Sequence, residues 1–172
     1  MKISYLVATH NETDTLIKLL ERLVNYRFDE DEIVILDDFS DNSKTIEILK
    51  QVSSQKNVFV FQHRLNNDYG SHKNFGNEKC SGDWVFQIDA DELPSETLIF
   101  NIRDIITSNP NVELIYVPRI NDYRGVSSEH AKQWGWKLTP SEVIIHERLI
   151  DTNSDEYKFL KNSGYIIEET GI

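Results

Sequence analysis

A chain of 172 residues that is 39% hydrophobic, with 3 Trp, 7 Tyr and 8 Phe, can bury a substantial core and is not a disordered segment. Its 18 Lys+Arg against 29 Asp+Glu give a net charge of −11, a field that repels a nucleic-acid backbone and makes any anionic ligand depend on a metal ion or a few placed cations. A single cysteine, Cys80, excludes an internal disulfide, and the apolar run "ISYLVA" is too short for a secretion signal or a membrane span, so a soluble cytoplasmic protein is expected.

The first segment, "KISYLVATHNE", reads as a buried strand that ends in polar residues. "ETDTLIKLLERLVNY" follows with Leu16, Leu20, Leu23 and Val24 at helical spacing, capped from Asn11 or Thr13. "DEIVILDDFSDNS" is a second apolar strand running into acids. "SKTIEILKQVSS" is a helix with Ile46, Leu49 and Val52 on one side and Asp41 or Asn42 as its cap. "NVFVFQH" is a third strand, "GSHKNFGNEKCSGD" a short helix between glycines, and "WVFQID" a fourth strand. "PSETLIFNIRDIITSNP" is the clearest helix: Pro94 starts it, Leu98, Ile102, Ile105 and Ile106 form its stripe, and Asn109-Pro110 ends it. "VELIYVPR" reads as a fifth strand. Beyond Arg119 the pattern weakens into a loop-like stretch, and "VIIHERLI" is a late strand.

Strands alternating with helices predict one α/β domain with an open, mostly parallel sheet, helices on both faces and an irregular C-terminal third. Three polar clusters then share a position. Thr9–Glu12 follow strand one, Asp37–Asp41 follow strand two, and Asp89–Glu92 follow strand four. Ligands of open α/β sheets bind beyond the carboxyl ends of strands, so the three should converge on one edge. Each has a plainer reading. Glu12 favours a helix N-terminus, Asp41 or Asn42 caps the second helix, and Glu92 faces solvent or the next helix. Capping does not explain the adjacent Asp37 and Asp38. Asp89 and Asp91, two residues apart, point the same way in an extended chain and offer oxygen ligands suited to Mg²⁺ or Mn²⁺. No G-x-G-x-x-G follows strand one, and no Lys-Ser/Thr follows the Gly70–Gly76 segment, so neither a dinucleotide site nor a P-loop is present. Cys80 is expected to be a small core residue.

"VATHNE", "EIVILDDFSDNS" and "GSHKNFGNEKCSGDWVFQIDADE" resemble the nucleotide-binding half of glycosyltransferase family 2, on the GT-A fold, over roughly residues 1–98. "VPRINDYRGV" and "WGWKLTP…HERLI" are similar to the subgroup related to lipopolysaccharide-core glucosyltransferases. The resemblance implies a GT-A-type, Rossmann-like sheet spanning 1–172 as one domain, with a donor half at 1–98 and a shortened acceptor side at 99–172. It implies transfer of a sugar from a nucleotide diphosphate, uridine preferred over guanosine, to a saccharide or other hydroxyl acceptor, with inversion and a divalent metal. By the same resemblance Thr9, His10, Asn11 and Glu12 border the nucleoside, and Asp38 with Asp37 beside it reads the base or ribose. Lys73 and Asn74 stand near the donor, the lysine where the family has arginine. Asp89, Ala90 and Asp91 form the metal motif, with Asp91 on the metal and Asp89 nearer the ribose.

Inversion needs one base opposite the leaving group. Glu142, His146 and Glu147 are the candidates. His146 reads equally as a metal ligand or as a packed strand residue. Family members usually continue past the region matching "HERLI", so the acceptor site is minimal, completed by a second copy of the chain, or absent. Two other functions compete: a nucleotide-sugar-binding module without turnover, and a haloacid-dehalogenase-type phosphatase with Asp89 as nucleophile.

Overall fold

Two nearly unbroken apolar runs form the centre of the sheet. β1 (Ile3–Thr9) and β2 (Glu32–Asp37) are buried along almost their whole length, as strands are when helices cover both faces. β3 (Val58–Gln62) and β4 (Trp84–Asp89) flank them in the parallel order β3-β2-β1-β4. Thr9 pairs with Asp37 and Ala8 with Asp89, so these strands end level with one another. The computed structural model describes residues 1–117 and 128–134. The chain divides into two compact units, 1–103 and 104–172, and the sheet lies in the first.

Right-handed connections put α1 (Asp14–Tyr26) and α2 (Ser43–Val52) on one face. α3 (Tyr69–Lys79) returns from β3 to β4 across the other face. There Leu6, Val34 and Leu36 form a buried cluster with Phe61, Phe75 and Cys80 packed on it. Burial pushes the Cys80 thiol up to about 11, so it behaves as the small core residue expected. α4 (Glu96–Ser108) buries Ile99 fully and Ile102 nearly so. None of the described helices is long and apolar enough to cross a membrane.

Several local expectations change. Asn42 does cap α2, its Oδ1 accepting from Lys44 N and Thr45 N. α2 buries Thr45 and Leu49 and half-buries Val52, whereas Ile46 is exposed; of the three apolar residues chosen from the sequence, Ile46 alone faces outward. Thr13 occupies the N-cap of α1 without a side-chain bond, and Asn11 is engaged elsewhere. Ser95, rather than Pro94, caps α4 by accepting from Leu98 N. Among the described residues the fifth strand is not formed: residues 112–117 join no ladder, and Leu114 is exposed. Strand formers make a strand only when a neighbour pairs with them. Within the loop-like stretch, Ser128–Gln133 forms a short helix, α5. The late strand around His146 lies outside the described residues.

The amino end of the sheet is held by two buried acids. Asp31 Oδ1 accepts from Ile3 N at 2.8 Å and from Arg103 Nη2 at 2.5 Å, while Oδ2 accepts from Phe28 N. The Arg103 guanidinium lies 3.9 Å from the centroid of Phe28. Glu32 is only 3% exposed and receives Lys2 Nζ, Ser4 Oγ, Ser81 N and Ser81 Oγ. The loop carrying Ser81 closes tightly: a Cβ on Gly82 would sit 2.7 Å from Ser4 N.

Burial alone would raise the Glu32 carboxyl, but the donors from Lys2, Ser4 and Ser81 outweigh it and hold it down at about 2. A depressed carboxyl adds stability above its unfolded value, and that stability is lost as pH falls through the folded value. Glu32 is therefore expected to contribute about 3 kcal/mol near neutrality, fading between about pH 4.5 and 2. Urea midpoints measured across that range should fall for the wild type and stay flatter for Glu32→Gln. Parallel curves would remove Glu32 from the account.

Candidate functional site

The carboxyl edge of β1, β2 and β4 brings the three polar clusters together. β1 and β4 are also where the winding reverses, since α1 leaves β1 on one face and α3 enters β4 from the other. This is the switch point of the sheet, where open α/β folds bind ligands.

After β1 the chain turns sharply. Glu12 Oε2 accepts from Thr9 Oγ1 at 2.7 Å and from His10 N at 2.5 Å, which ties the turn to its own start. Asn11 has φ 67°, a left-handed conformation that asparagine tolerates. Its Oδ1 accepts from Asp41 N and Asn42 N, and its Nδ2 donates to Asp41 Oδ1. Asn11 N donates to Ser40 Oγ. One asparagine thus fixes the β1 loop to the β2 loop. His10 is exposed, with Nδ1 2.8 Å from the Asp38 carbonyl oxygen and 3.9 Å from Asp38 Oδ2.

The adjacent acids after β2 do different work. Asp37 is buried, and its oxygens accept from Ser40 N, Ser40 Oγ and Gln62 Nε2. It shapes the loop and offers nothing to a ligand. Asp38 is the accessible one. Its Oδ1 accepts from Leu65 N at 2.9 Å, which holds the segment after β3, and its Oδ2 faces His10. Phe39 follows with φ 47° and an exposed ring, under the Arg64 guanidinium at 4.5 Å. Among the described residues the other positive-φ residues outside glycine are all asparagine. A bulky residue in that region costs about 1 kcal/mol or more, and such strain gathers at functional sites.

β4 ends in Asp89, about half exposed. Ala90 is buried and donates its N–H to Ala8 O, which seats the turn against β1. Glu92 Oε2 accepts from Asp89 N, so Glu92 braces this turn. Asp91 stands exposed at its tip. Lys73 reaches in from α3 and places Nζ 2.6 Å from Asp89 Oδ1.

Of the residues chosen from sequence, Thr9 through Glu12, Asp37, Asp38, Lys73 and Asp89 through Asp91 meet at this edge. Asn74, with His63, Ser71 and Glu78, lines an open groove of about 460 Å³. Glu142, His146 and Glu147 lie outside the described residues. Sequence reasoning missed His63 and His72, whose Nδ1 atoms are 3.2 Å apart beside Phe75. Burial, then the charge of His63, lowers the pKa of the His72 imidazole. A histidine two positions after a glycine carries no sequence signal of such a pairing. Arg64 was equally silent, although an arginine straight after a strand is a cation near the ligand edge.

A family model described as glycosyl transferase family 2 matches residues 4–163. An uncharacterized glycosyltransferase of Haemophilus influenzae is 27% identical over 116 residues, covering 67% of this chain and 38% of its own. TarS of Staphylococcus aureus, solved in complex with UDP-GlcNAc, superposes with a TM-score of 0.59 at 21% identity, over 74% of this chain and 36% of its own. The mannosyltransferase PcManGT of Pyrobaculum calidifontis, in complex with GDP-Man and Mn²⁺, gives a TM-score of 0.54 at 18% identity, over 62% and 32%. These likenesses show the α/β GT-A-type fold. The chain spans about a third of the length of the curated relatives it matches.

Proposed function

The chain belongs to glycosyl transferase family 2, and on that premise we propose that it moves a sugar from a nucleotide diphosphate donor to an acceptor hydroxyl, with inversion and a divalent metal. The observation that carries this reading is the convergence of Thr9–Glu12, Asp38 and Asp89–Asp91 at the switch point between β1 and β4. The sugar nucleotides in the complexes of TarS and PcManGT support it. Membership of this family also leaves no place for the phosphatase reading of Asp89.

The residues present fit a divalent metal. Asp91 is an exposed hard-oxygen donor, and Mg²⁺ or Mn²⁺ takes one or two protein carboxylates and completes its shell with phosphate and water. Among the described residues no group of three or more His, Cys, Asp or Glu could cage a metal, so the fit is to an ion shared with a diphosphate. When bound, that ion neutralises the charge growing on the leaving diphosphate. The protein's own residues do the positioning. Asn11 and Asp37 make the loops rigid, His10 offers a flat ring, and Asp38 presents an acceptor to the nucleoside. The acceptor hydroxyl loses its proton to a base that we assign to Glu142, His146 or Glu147. Uridine is the expected base of the donor.

Calorimetry with UDP and GDP, each with and without Mn²⁺, tests site, metal and base together. UDP should bind only with Mn²⁺ present, and GDP about tenfold more weakly, a difference of about 1.4 kcal/mol. Absence of binding by either nucleotide would overturn the reading. Tight binding with no transfer to any saccharide would instead make the chain a nucleotide-sugar-binding module.

A further inference from the structure

The cluster Asp89, Asp91 and Glu92 holds three carboxylates within four residues, and the Lys73 ammonium has been brought to it. α3 supplies that ammonium because it can approach the sheet closely. A Cβ on Gly76 would sit 2.8 Å from Leu6 Cδ1 and 3.2 Å from Leu36 Cδ2, so a larger residue would force these leucine side chains or the helix to shift. Lys73 lies three positions before Gly76, on the same flank of the helix. Its Nζ meets Asp89 Oδ1 at 2.6 Å, with the lysine 28% exposed. Glu92 is turned back to brace Asp89 N. Asp91 is left at the tip of the turn.

We propose that Lys73 is a positioning residue: it holds Asp89 as a built-in counter-ion and leaves Asp91 as the carboxylate open to a divalent cation until the nucleotide diphosphate arrives. This rests on the donor site proposed above. A cation approaching the free protein meets one carboxylate and a nearby ammonium that repels it. It therefore binds weakly alone. The diphosphate brings the missing oxygen ligands, and the cation enters with it. A lysine on a flexible stem suits this role better than an arginine locked in a bidentate fork, since it can turn from Asp89 toward a phosphate oxygen. The lysine also sets the order of binding: nucleotide and metal together, rather than metal first.

The test measures Mn²⁺ binding to the full chain without nucleotide, from the paramagnetic resonance signal of free Mn²⁺. Lys73→Met should bind Mn²⁺ about tenfold more tightly than wild type, because both Asp89 and Asp91 become available. Lys73→Arg keeps the charge and should match wild type. Lys73→Met combined with Asp89→Asn should lose the gain. Lys73→Gln supplies the same comparison if the methionine variant does not fold. A neutral variant that binds Mn²⁺ no more tightly than wild type overturns the proposal. So does a gain that survives loss of Asp89, or tight Mn²⁺ binding by wild type alone. Nucleotide diphosphate binding at saturating Mn²⁺, measured on the same proteins, separates the two readings. Its absence removes the donor site, whereas the Lys73–Asp89 competition is read with metal alone.

Discussion

Asp91→Ala is expected to abolish Mn²⁺-dependent nucleotide diphosphate binding and to lower donor turnover by at least about 10²-fold, while leaving the melting temperature unchanged. The two halves of this expectation come from different facts. Asp91 is exposed at the tip of a turn whose backbone is fixed by Ala90 and Glu92, so the fold does not depend on its carboxylate. Surface substitutions of that kind shift stability by about 0.5 kcal/mol or less. The carboxylate matters only to what binds there. A metal ion supplies several kcal/mol of charge stabilisation in such a transfer, and each 1.4 kcal/mol is tenfold in rate. Asp37→Ala gives the contrasting case. It removes an acceptor from Ser40 and Gln62 inside the loop, so it should damage stability and binding together. Donor turnover and nucleotide affinity equal in wild type and Asp91→Ala would sink the metal role of Asp91.

The largest effect on stability is expected at the opposite end of the sheet. Asp31→Ala should cost about 3–5 kcal/mol, a large share of the roughly 5–15 kcal/mol that holds a domain together. Asp31 is fully buried and accepts from the backbone of Ile3 and Phe28 as well as from Arg103. Its loss strands two backbone N–H groups and takes from the Arg103 guanidinium its buried acid, leaving it the exposed Glu30 at 3.2 Å. Replacing both charges, as in Asp31→Leu with Arg103→Met, should restore part of the loss, because burying neither charge is cheaper than burying one. Urea denaturation of wild type, Asp31→Leu, Arg103→Met and the double variant closes the cycle. A midpoint for Asp31→Ala close to wild type would show that the pair contributes little.

The strands that carry the site were legible because each is an apolar run that ends abruptly in polar residues. Ile3–Thr9, Glu32–Asp37 and Trp84–Asp89 need no partner information to be recognised. Their convergence was also legible, since it follows from parallel order alone. Residues 112–117 show the limit: "VELIYV" has the composition of a strand, but a strand exists only by pairing, and pairing is not written locally. The division of labour between Asp37 and Asp38 was hidden for a related reason. Neighbours in a strand point to opposite sides, but which side is closed depends on Ser40 and Gln62. Lys73 and Asp89 are 16 residues apart and meet where α3, with Gly76 close against Leu6 and Leu36, packs on the sheet. Asp31 and Glu32 sit in a run of acids that reads as a solvated turn. The signal that would have found them is an acid just before a buried strand, opposite Lys2 and Ser4.

The clasp around Glu32 sets a timetable for synthesis. Lys2 and Ser4 are synthesised before their partners at Ser81, Gly82 and Asp83, which lie 78 to 81 positions later. β1 likewise waits for β4 on one of its two sides. Until Asp89 emerges, β1 has an open flank, and open flanks pair with the wrong chain. The closing of the clasp is then a late, long-range event that completes the sheet, so pauses in translation before Trp84 should be the interval in which this protein most needs a chaperone.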